Sequence, residues 1–278
     1  MFTFIRAFVR DWHKIGTVIA SRPGTGRRMA QLGDVAHAKR VVEFGPGTGA
    51  FTDKILPRLS PHCRFFAIEL NPTLVAAYFN RGNALKDLGR FSAAVENYDR
   101  AISLKPDYAE AYSNRGAVLV ELKQYEMAVD SCNRAISLKP GLLSAHFNNG
   151  NAQRNLGLLE AAINSYDRAI DIDPDYAQTY CNRGVTLEKL QKSAEALASY
   201  DHAIELKPDL SEAYCNRGNA LRGLKRFAHA LEDLDKAIAL KPDFAQAFYN
   251  RGNALADMGH LESAVQSYAS ALAINPDI

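Results

Sequence analysis

From about residue 73 to the end, apolar positions recur three, four and seven residues apart, the spacing of one face of an α-helix. Between 109 and 122, Tyr112, Leu119 and Leu122 share such a face, and between 125 and 138 Ala128, Val129, Ala135 and Ile136 form another. Lys123 and Gln124 break the pattern between them. Pro140 ends the second run, because proline has no amide donor and clashes inside a helix. The pattern predicts two amphipathic helices joined by a tight turn. Before residue 72 the rhythm differs. Residues 40–44 and 64–70 are short apolar runs of the strand type, 45–49 are a glycine-rich loop, and 50–59 suit a helix.

The helix pair recurs. Pro72, Pro106, Pro140, Pro174, Pro208, Pro242 and Pro276 stand 34 residues apart. Gly82, Gly116, Gly150, Gly184, Gly218 and Gly252 keep that period, as do Ala94, Ala128, Ala162, Ala196, Ala230 and Ala264, and Ala101, Ala135, Ala169, Ala203, Ala237 and Ala271. Small residues at fixed places let neighbouring helices approach closely. A period of this length marks a solenoid of stacked supersecondary units. The units run 73–106, 107–140, 141–174, 175–208, 209–242 and 243–276.

Six units agreeing in one glycine, two alanines and one proline closely resemble the tetratricopeptide repeat over residues 73–278. The resemblance implies a mainly α fold, a right-handed α-solenoid of helix-turn-helix repeats whose first helices line a concave groove. It also implies a scaffold that binds a peptide or a partner protein there. Chaperone-binding members place carboxylate-clamping lysines in that groove, and these are missing here. No His, Cys or carboxylate recurs in the arrangement that a nucleophile or metal would need, so catalysis is not expected of the repeats.

Asn80, Asn114, Asn148, Asn182, Asn216 and Asn250 hold one equivalent position two residues before each glycine, and Asn83, Asn151, Asn219 and Asn253 lie three residues further on. Residues three apart share a helix face, and an amide offers both donor and acceptor. One reading makes these asparagines a peptide-binding ladder, similar to that of the O-linked N-acetylglucosamine transferases. The other makes them links between adjacent repeats. The residue before each ladder asparagine varies (Phe79, Ser113, Phe147, Cys181, Cys215, Tyr249), which would give the groove side-chain selectivity. Arg81, Arg115, Arg183, Arg217 and Arg251 precede the glycines, with inter-repeat ion pairing and an acidic ligand as the two readings. The third repeat departs most, with His146, Asn149 and Gln153. A Gln153 buried without partners would make it the local weak point.

Residues 1–72 read as a separate segment. The string Val41-Val42-Glu43-Phe44-Gly45-Pro46-Gly47-Thr48-Gly49, with Ile68-Glu69-Leu70 downstream, resembles the S-adenosylmethionine loop of class I methyltransferases, closest to the phospholipid N-methyltransferase and ribosomal RNA adenine dimethylase branch. Residues 15–23 resemble the segment ahead of that loop in the phospholipid enzymes. The resemblance implies a partial α/β, Rossmann-like βαβ unit in which Gly45, Gly47 and Gly49 cradle the methionine part, with Glu43 beside the loop and Glu69 on the ribose. The later strands of such an enzyme have no counterpart, since the repeats begin directly after Pro72. A remnant that binds no cofactor and a segment that binds S-adenosylmethionine are both open, the first preferred. A methyltransferase active only when complemented by another chain is the rival to the scaffold reading.

Composition changes this picture little. The chain has 278 residues, 47% hydrophobic and 23% charged, with a formal net charge of +2. That balance gives no pull toward nucleic acid. Residues 1–72 nevertheless hold 11 Lys/Arg against 5 Asp/Glu. Within residues 1–14, Phe4, Ile5, Phe8, Val9 and Trp12 would form an apolar stripe and Arg6, Arg10 and Lys14 a basic one, suited either to core packing or to weak contact with an anionic membrane surface. No uninterrupted apolar run long enough to span a bilayer is present. Cys63, Cys132, Cys181 and Cys215 form no CxxC pair, which fits free thiols in a reducing, cytoplasmic setting, peripheral to a membrane at most. The apolar face of the last repeat has no polar helix after it, which self-association through that end or a fragmentary gene product would each explain.

Overall fold

In the computed structural model, the described residues are 17–20, 40–45 and 64–69, as backbone, and 72–278, with side chains from residue 73 onward. The chain divides into two compact units, residues 1–108 and 109–278.

In the first unit, strands β1 (Thr17–Ala20), β2 (Arg40–Gly45) and β3 (Arg64–Glu69) pair in parallel in the order β1-β2-β3. Val41 stands beside Phe65, and Gly45 beside Glu69. The expected Rossmann-like βαβ unit gains no support beyond these strands. Its helix (50–59), its loop residues Gly47 and Gly49, the stripe over 1–14 and Cys63 all lie outside the described residues. The unit continues into helices α1 (Pro72–Asp87) and α2 (Phe91–Leu104), the first repeat.

The second unit holds five more helix pairs: α3 (Ala109–Glu121) and α4 (Tyr125–Leu138), α5 (Leu143–Asn155) and α6 (Leu159–Ile172), α7 (Ala177–Lys189) and α8 (Ser193–Leu206), α9 (Ser211–Gly223) and α10 (Phe227–Leu240), α11 (Ala245–Asp257) and α12 (Leu261–Ile274). Helices of 13 or 14 residues are marginal in isolation, so packing must hold them. Both alanine series supply that packing. Ala128, Ala162, Ala196 and Ala230 are fully buried, and so are Ala135, Ala169, Ala203 and Ala237.

Each hairpin closes through one close approach. A Cβ on Gly150 or Gly184 would fall 2.6 or 2.5 Å from Cε1 of Tyr166 or Tyr200, sixteen residues on. The glycines exist to seat those rings. Where the partner is Leu234, a Cβ on Gly218 would still come within 2.8 Å of its Cγ. The turn between paired helices needs one left-handed residue. Gly89, Gly157 and Gly259 take it freely at φ near +70 to +80°, whereas Lys123, Gln191 and Lys225 adopt φ of 58–60°.

Candidate functional site

The first helix of each repeat carries the ladder asparagine two residues before the glycine, so helix spacing alone places these amides at one equivalent point per repeat. In Asn148, Asn182, Asn216 and Asn250 the NH2 group reaches back to the preceding repeat. Asn148 Nδ2 donates to the backbone oxygen of Ser113 at 3.2 Å and to its Oγ at 3.3 Å. Asn216 Nδ2 donates to Cys181 Sγ at 3.6 Å, and Asn250 Nδ2 to Cys215 Sγ at 3.4 Å. Each bond spans 35 residues, one period plus one.

The fourth repeat solves the same problem differently. Phe147 stands where its counterparts are Ser113, Cys181 and Cys215, and a phenyl ring offers no comparable acceptor. Asn182 Nδ2 donates instead to Asn151 Oδ1 at 2.9 Å. Asn151 Oδ1 also accepts the Tyr166 hydroxyl at 2.8 Å, so one carboxamide ties a hairpin internally and to its neighbour. Asn83 and Asn253 accept the hydroxyls of Tyr98 and Tyr268 in the same way, at 2.8 and 2.9 Å. Asn219 faces Leu234 rather than a tyrosine and accepts from Arg222 at 3.5 Å. Tyr200, opposite Val185, donates to Glu188 Oε2 at 2.6 Å. Burial pushes the Glu188 carboxyl up, and the tyrosine hydroxyl opposes that shift.

The variable residue before each ladder asparagine therefore serves two purposes. Ser113, Cys181 and Cys215 are buried acceptors, which removes them from the side-chain selectivity expected there. Phe147 and Tyr249 are only partly covered, Tyr249 being 40% exposed, and their rings pack on Tyr166 and Tyr268 with centroids 6.3 and 5.9 Å apart. Phe79 packs on Tyr98 and Tyr108 in the first unit. Asn80 is exposed, and Asn114 is half-buried.

With their amide NH2 groups engaged, Asn148 and Asn216 keep Oδ1 as the free end of the side chain. In Asn182 and Asn250 that oxygen accepts from Gln178 and Gln246, one turn earlier, at 3.3 and 2.9 Å.

The arginine before the glycine is an inter-helix tie. Arg183 donates to Asp167 of the preceding repeat at 2.7 Å and to Ser199 of its own at 2.9 Å. Arg251 does the same with Asp235 and Ser267, at 2.6 and 2.8 Å. Arg217 has a carboxylate on both sides, Asp201 at 2.6 Å and a bidentate Asp233 at 2.6 and 2.7 Å. The paired carboxylates hold its guanidinium charged more firmly than usual. These residues line a cleft of about 230 Å³ with Leu197, Leu221, Arg226, His229 and Glu232. In the third repeat the charge pair becomes neutral, Asn149 Nδ2 donating to Asn133 Oδ1 at 3.0 Å.

That repeat corrects one expectation. Gln153 is half-buried and accepts from Ser165 Oγ at 2.7 Å, so it is not an unpaired amide. Asn149 Oδ1, in a side chain 4% exposed, is the atom left without a partner. Among the described residues, Cys132, Cys181 and Cys215 are free, no acidic, His or Cys group is arranged to hold a metal, and no helix is long and apolar enough to cross a membrane.

Comparison with known proteins accords with this geometry. Residues 82–123, 150–191 and 218–259 match the family described as TPR repeat, and 109–142, 177–210 and 245–278 match that described as tetratricopeptide repeat. Similar solved structures include TTC0263, a thermophilic TPR protein of Thermus thermophilus (23% identity, 66% of this chain and 99% of that one, TM-score 0.57), and PilF of Pseudomonas aeruginosa (14%, 73% and 93%, 0.63). A third is YrrB, described as a TPR protein with an unusual peptide-binding site (24%, 66% and 94%, 0.50). At these identities the likeness establishes the fold. No curated protein matches the sequence.

Proposed function

We propose that this chain, which belongs to the tetratricopeptide-repeat family, is a protein-interaction scaffold that holds an extended peptide or partner segment along the asparagine-bearing first helices. The observation that carries the reading is the polarity of the ladder. Ties to the preceding repeat use the NH2 groups of Asn148 and Asn216, and their carbonyl oxygens, two repeats apart, stay available to accept main-chain N–H groups. Phe147 and Tyr249, partly covered and ring-packed, stand beside the ladder as apolar contacts. YrrB, a similar fold, is described as having a peptide-binding site, which favours the same use of the fold here.

Selection of random peptides displayed on phage against the immobilised full chain tests the reading. Enriched peptides should lose affinity for Asn148→Ala and Asn216→Ala, with helix content checked by circular dichroism. No enrichment, or binding indifferent to both substitutions, overturns it.

A second reading concerns the N-terminal segment. The parallel register that sets Gly45 beside Glu69, at the carboxyl ends of β2 and β3, is the arrangement from which a loop after β2 and a carboxylate after β3 would share a nucleoside. S-adenosylmethionine would supply a methyl group there. Glu43, Gly45 and Glu69 are the described residues concerned, and weak membrane contact by residues 1–14 goes with this reading. Calorimetric titration of the full chain with S-adenosylmethionine, beside a Gly47→Val, Glu69→Ala variant, decides it. Saturable heat lost in the variant supports a cofactor site, and absence of heat from folded protein discards it.

A further inference from the structure

The chain carries, on separate helices, both halves of a joint that it also builds internally. Between the fourth and fifth repeats, Leu197 and Ile204 of α8 pack on a cluster that includes Ala213 and Ala220. Between the fifth and sixth, Leu231 and Ile238 of α10 pack with Ala247 and Ala254 of α11. Branched residues of a second helix thus fill against small residues of the next first helix. Ala213, Ala247 and Ala254 are fully buried as a result.

One period beyond Leu231 and Ile238 stand Val265 and Leu272 of α12, which are 65% and 52% exposed. Five periods before Ala247 and Ala254 stand Ala77 and Ala84 of α1, and both are exposed. The polar part of the joint is divided in the same way. Asn253 Oδ1 accepts the Tyr268 hydroxyl as Asn151 accepts that of Tyr166. Asn151 then takes Asn182 of the next repeat as its second donor. Asn80, the counterpart of Asn182, is exposed on α1. Val265 and Leu272, seven residues apart on α12, thus lack the small-residue partner that covers their counterparts in the internal joints.

We infer that the chain associates head to tail with a second copy of itself, α1 of one molecule seating on α12 of the next. Ala77 and Ala84 pack against Val265 and Leu272, and Asn80 donates to Asn253. The contact uses two different surfaces, so it is heterologous and adds further copies unless the ring closes. The ion pair of the internal joints does not carry over, because Ala269 stands where Asp235 pairs with Arg251 one repeat earlier. An apolar and amide joint without that pair survives high salt.

Analytical ultracentrifugation of the full chain over a concentration series tests this. The weight-average mass should rise with concentration beyond that of a dimer and stay so in high salt. The pair Val265→Glu, Leu272→Glu and the pair Ala77→Glu, Ala84→Glu should each give monomers. An equimolar mixture of the two variants should stop at a one-to-one dimer, since each keeps one intact face. All four positions are exposed, and Val265→Ser with Leu272→Ser replaces the first pair if circular dichroism shows lost helix. Wild-type monomer at every concentration overturns the inference. So does association that the α12 variant abolishes and the α1 variant leaves unchanged, which is the signature of a two-fold contact between α12 faces.

Discussion

Asn250 Nδ2 donates to Cys215 Sγ across 3.4 Å, and the two residues belong to successive repeats 35 positions apart. Asn250 is 6% exposed and Cys215 fully buried, so water cannot replace the thiol as acceptor. Ser113 fills the equivalent role for Asn148 with a hydroxyl. Cys215→Ser should therefore be close to neutral. Cys215→Ala removes the acceptor without adding bulk, leaving a buried amide unpaired at a cost of about 1–3 kcal/mol. Urea denaturation of the two variants checks the difference, and equal midpoints would deny the bond its role.

The same burial makes stability fall at alkaline pH. Burial pushes Cys181 up to about 11 and Cys132 and Cys215 up to about 12, from an ordinary 9.0. Below pH 9 both folded and unfolded states hold the protons, and the folded state keeps its full advantage. Between pH 9 and the folded values the unfolded chain binds fewer protons, so stability declines as pH rises. A Cys132→Ala, Cys181→Ser, Cys215→Ser variant should show a shallower decline in denaturation midpoint over that window. An identical slope would place the alkaline sensitivity elsewhere.

Gly184→Ala sets helix propensity against packing. Alanine is better than glycine in a helix interior by about 1 kcal/mol. Its Cβ, however, would lie 2.5 Å from Cε1 of Tyr200, a ring with no exposed surface and no room to retreat. Overpacking costs about 1–3 kcal/mol, so the net effect should be destabilising. Adding Tyr200→Ala to Gly184→Ala should make the glycine substitution favourable in that background. A double-mutant cycle read by thermal denaturation gives the coupling, and additivity would deny the contact.

Arg217 and Arg183 occupy equivalent positions but should respond differently to removal. The Asp233 side chain bound by Arg217 is 9% exposed, whereas the Asp167 side chain bound by Arg183 is 46% exposed. Arg217→Leu leaves a buried carboxylate uncompensated, a loss of about 3–5 kcal/mol. Arg183→Leu releases a carboxylate already in water and should cost only about 1 kcal/mol. Replacing Asp233 as well, as Asp233→Leu, should recover much of the first loss. Chemical denaturation of the three variants ranks them.

The period, the hairpins and the glycine and alanine places were legible in the sequence because each is a property of a single repeat, copied six times. The ladder was only half legible. Equivalent positions show in the sequence, but a bond from Asn216 to Cys181 depends on how far one hairpin advances on the next, which no spacing encodes. The alternation between Cys or Ser acceptors and Phe147, with Asn182 turning to Asn151, is such a relation. Covariation between positions 35 apart is the signal that would have exposed it. Gln153 misled for a similar reason, since its partner Ser165 sits on the other helix of the hairpin.

The third repeat should be the weakest of the interior repeats, through Asn149 rather than Gln153. The fourth, fifth and sixth repeats join their first helix to the preceding second helix by an Arg–Asp pair, whereas here Asn149 bonds Asn133, and its own Oδ1 is buried and unpaired. In a solenoid, local stability is the sum of a repeat's own stability and its contacts with neighbours, so a poor joint opens locally rather than unfolding the whole. Amide exchange should be fastest in α5 and α6 among the interior helices. Asn149→Arg together with Asn133→Asp rebuilds the pair seen between Arg183 and Asp167, and Ser165 then has the counterpart that Ser199 has in Arg183. Protection in α5 and α6 should rise toward that of α7 and α8, while Asn149→Arg alone gains less for want of a carboxylate. Exchange unchanged in the double variant would mean that the buried oxygen of Asn149 does not limit this repeat.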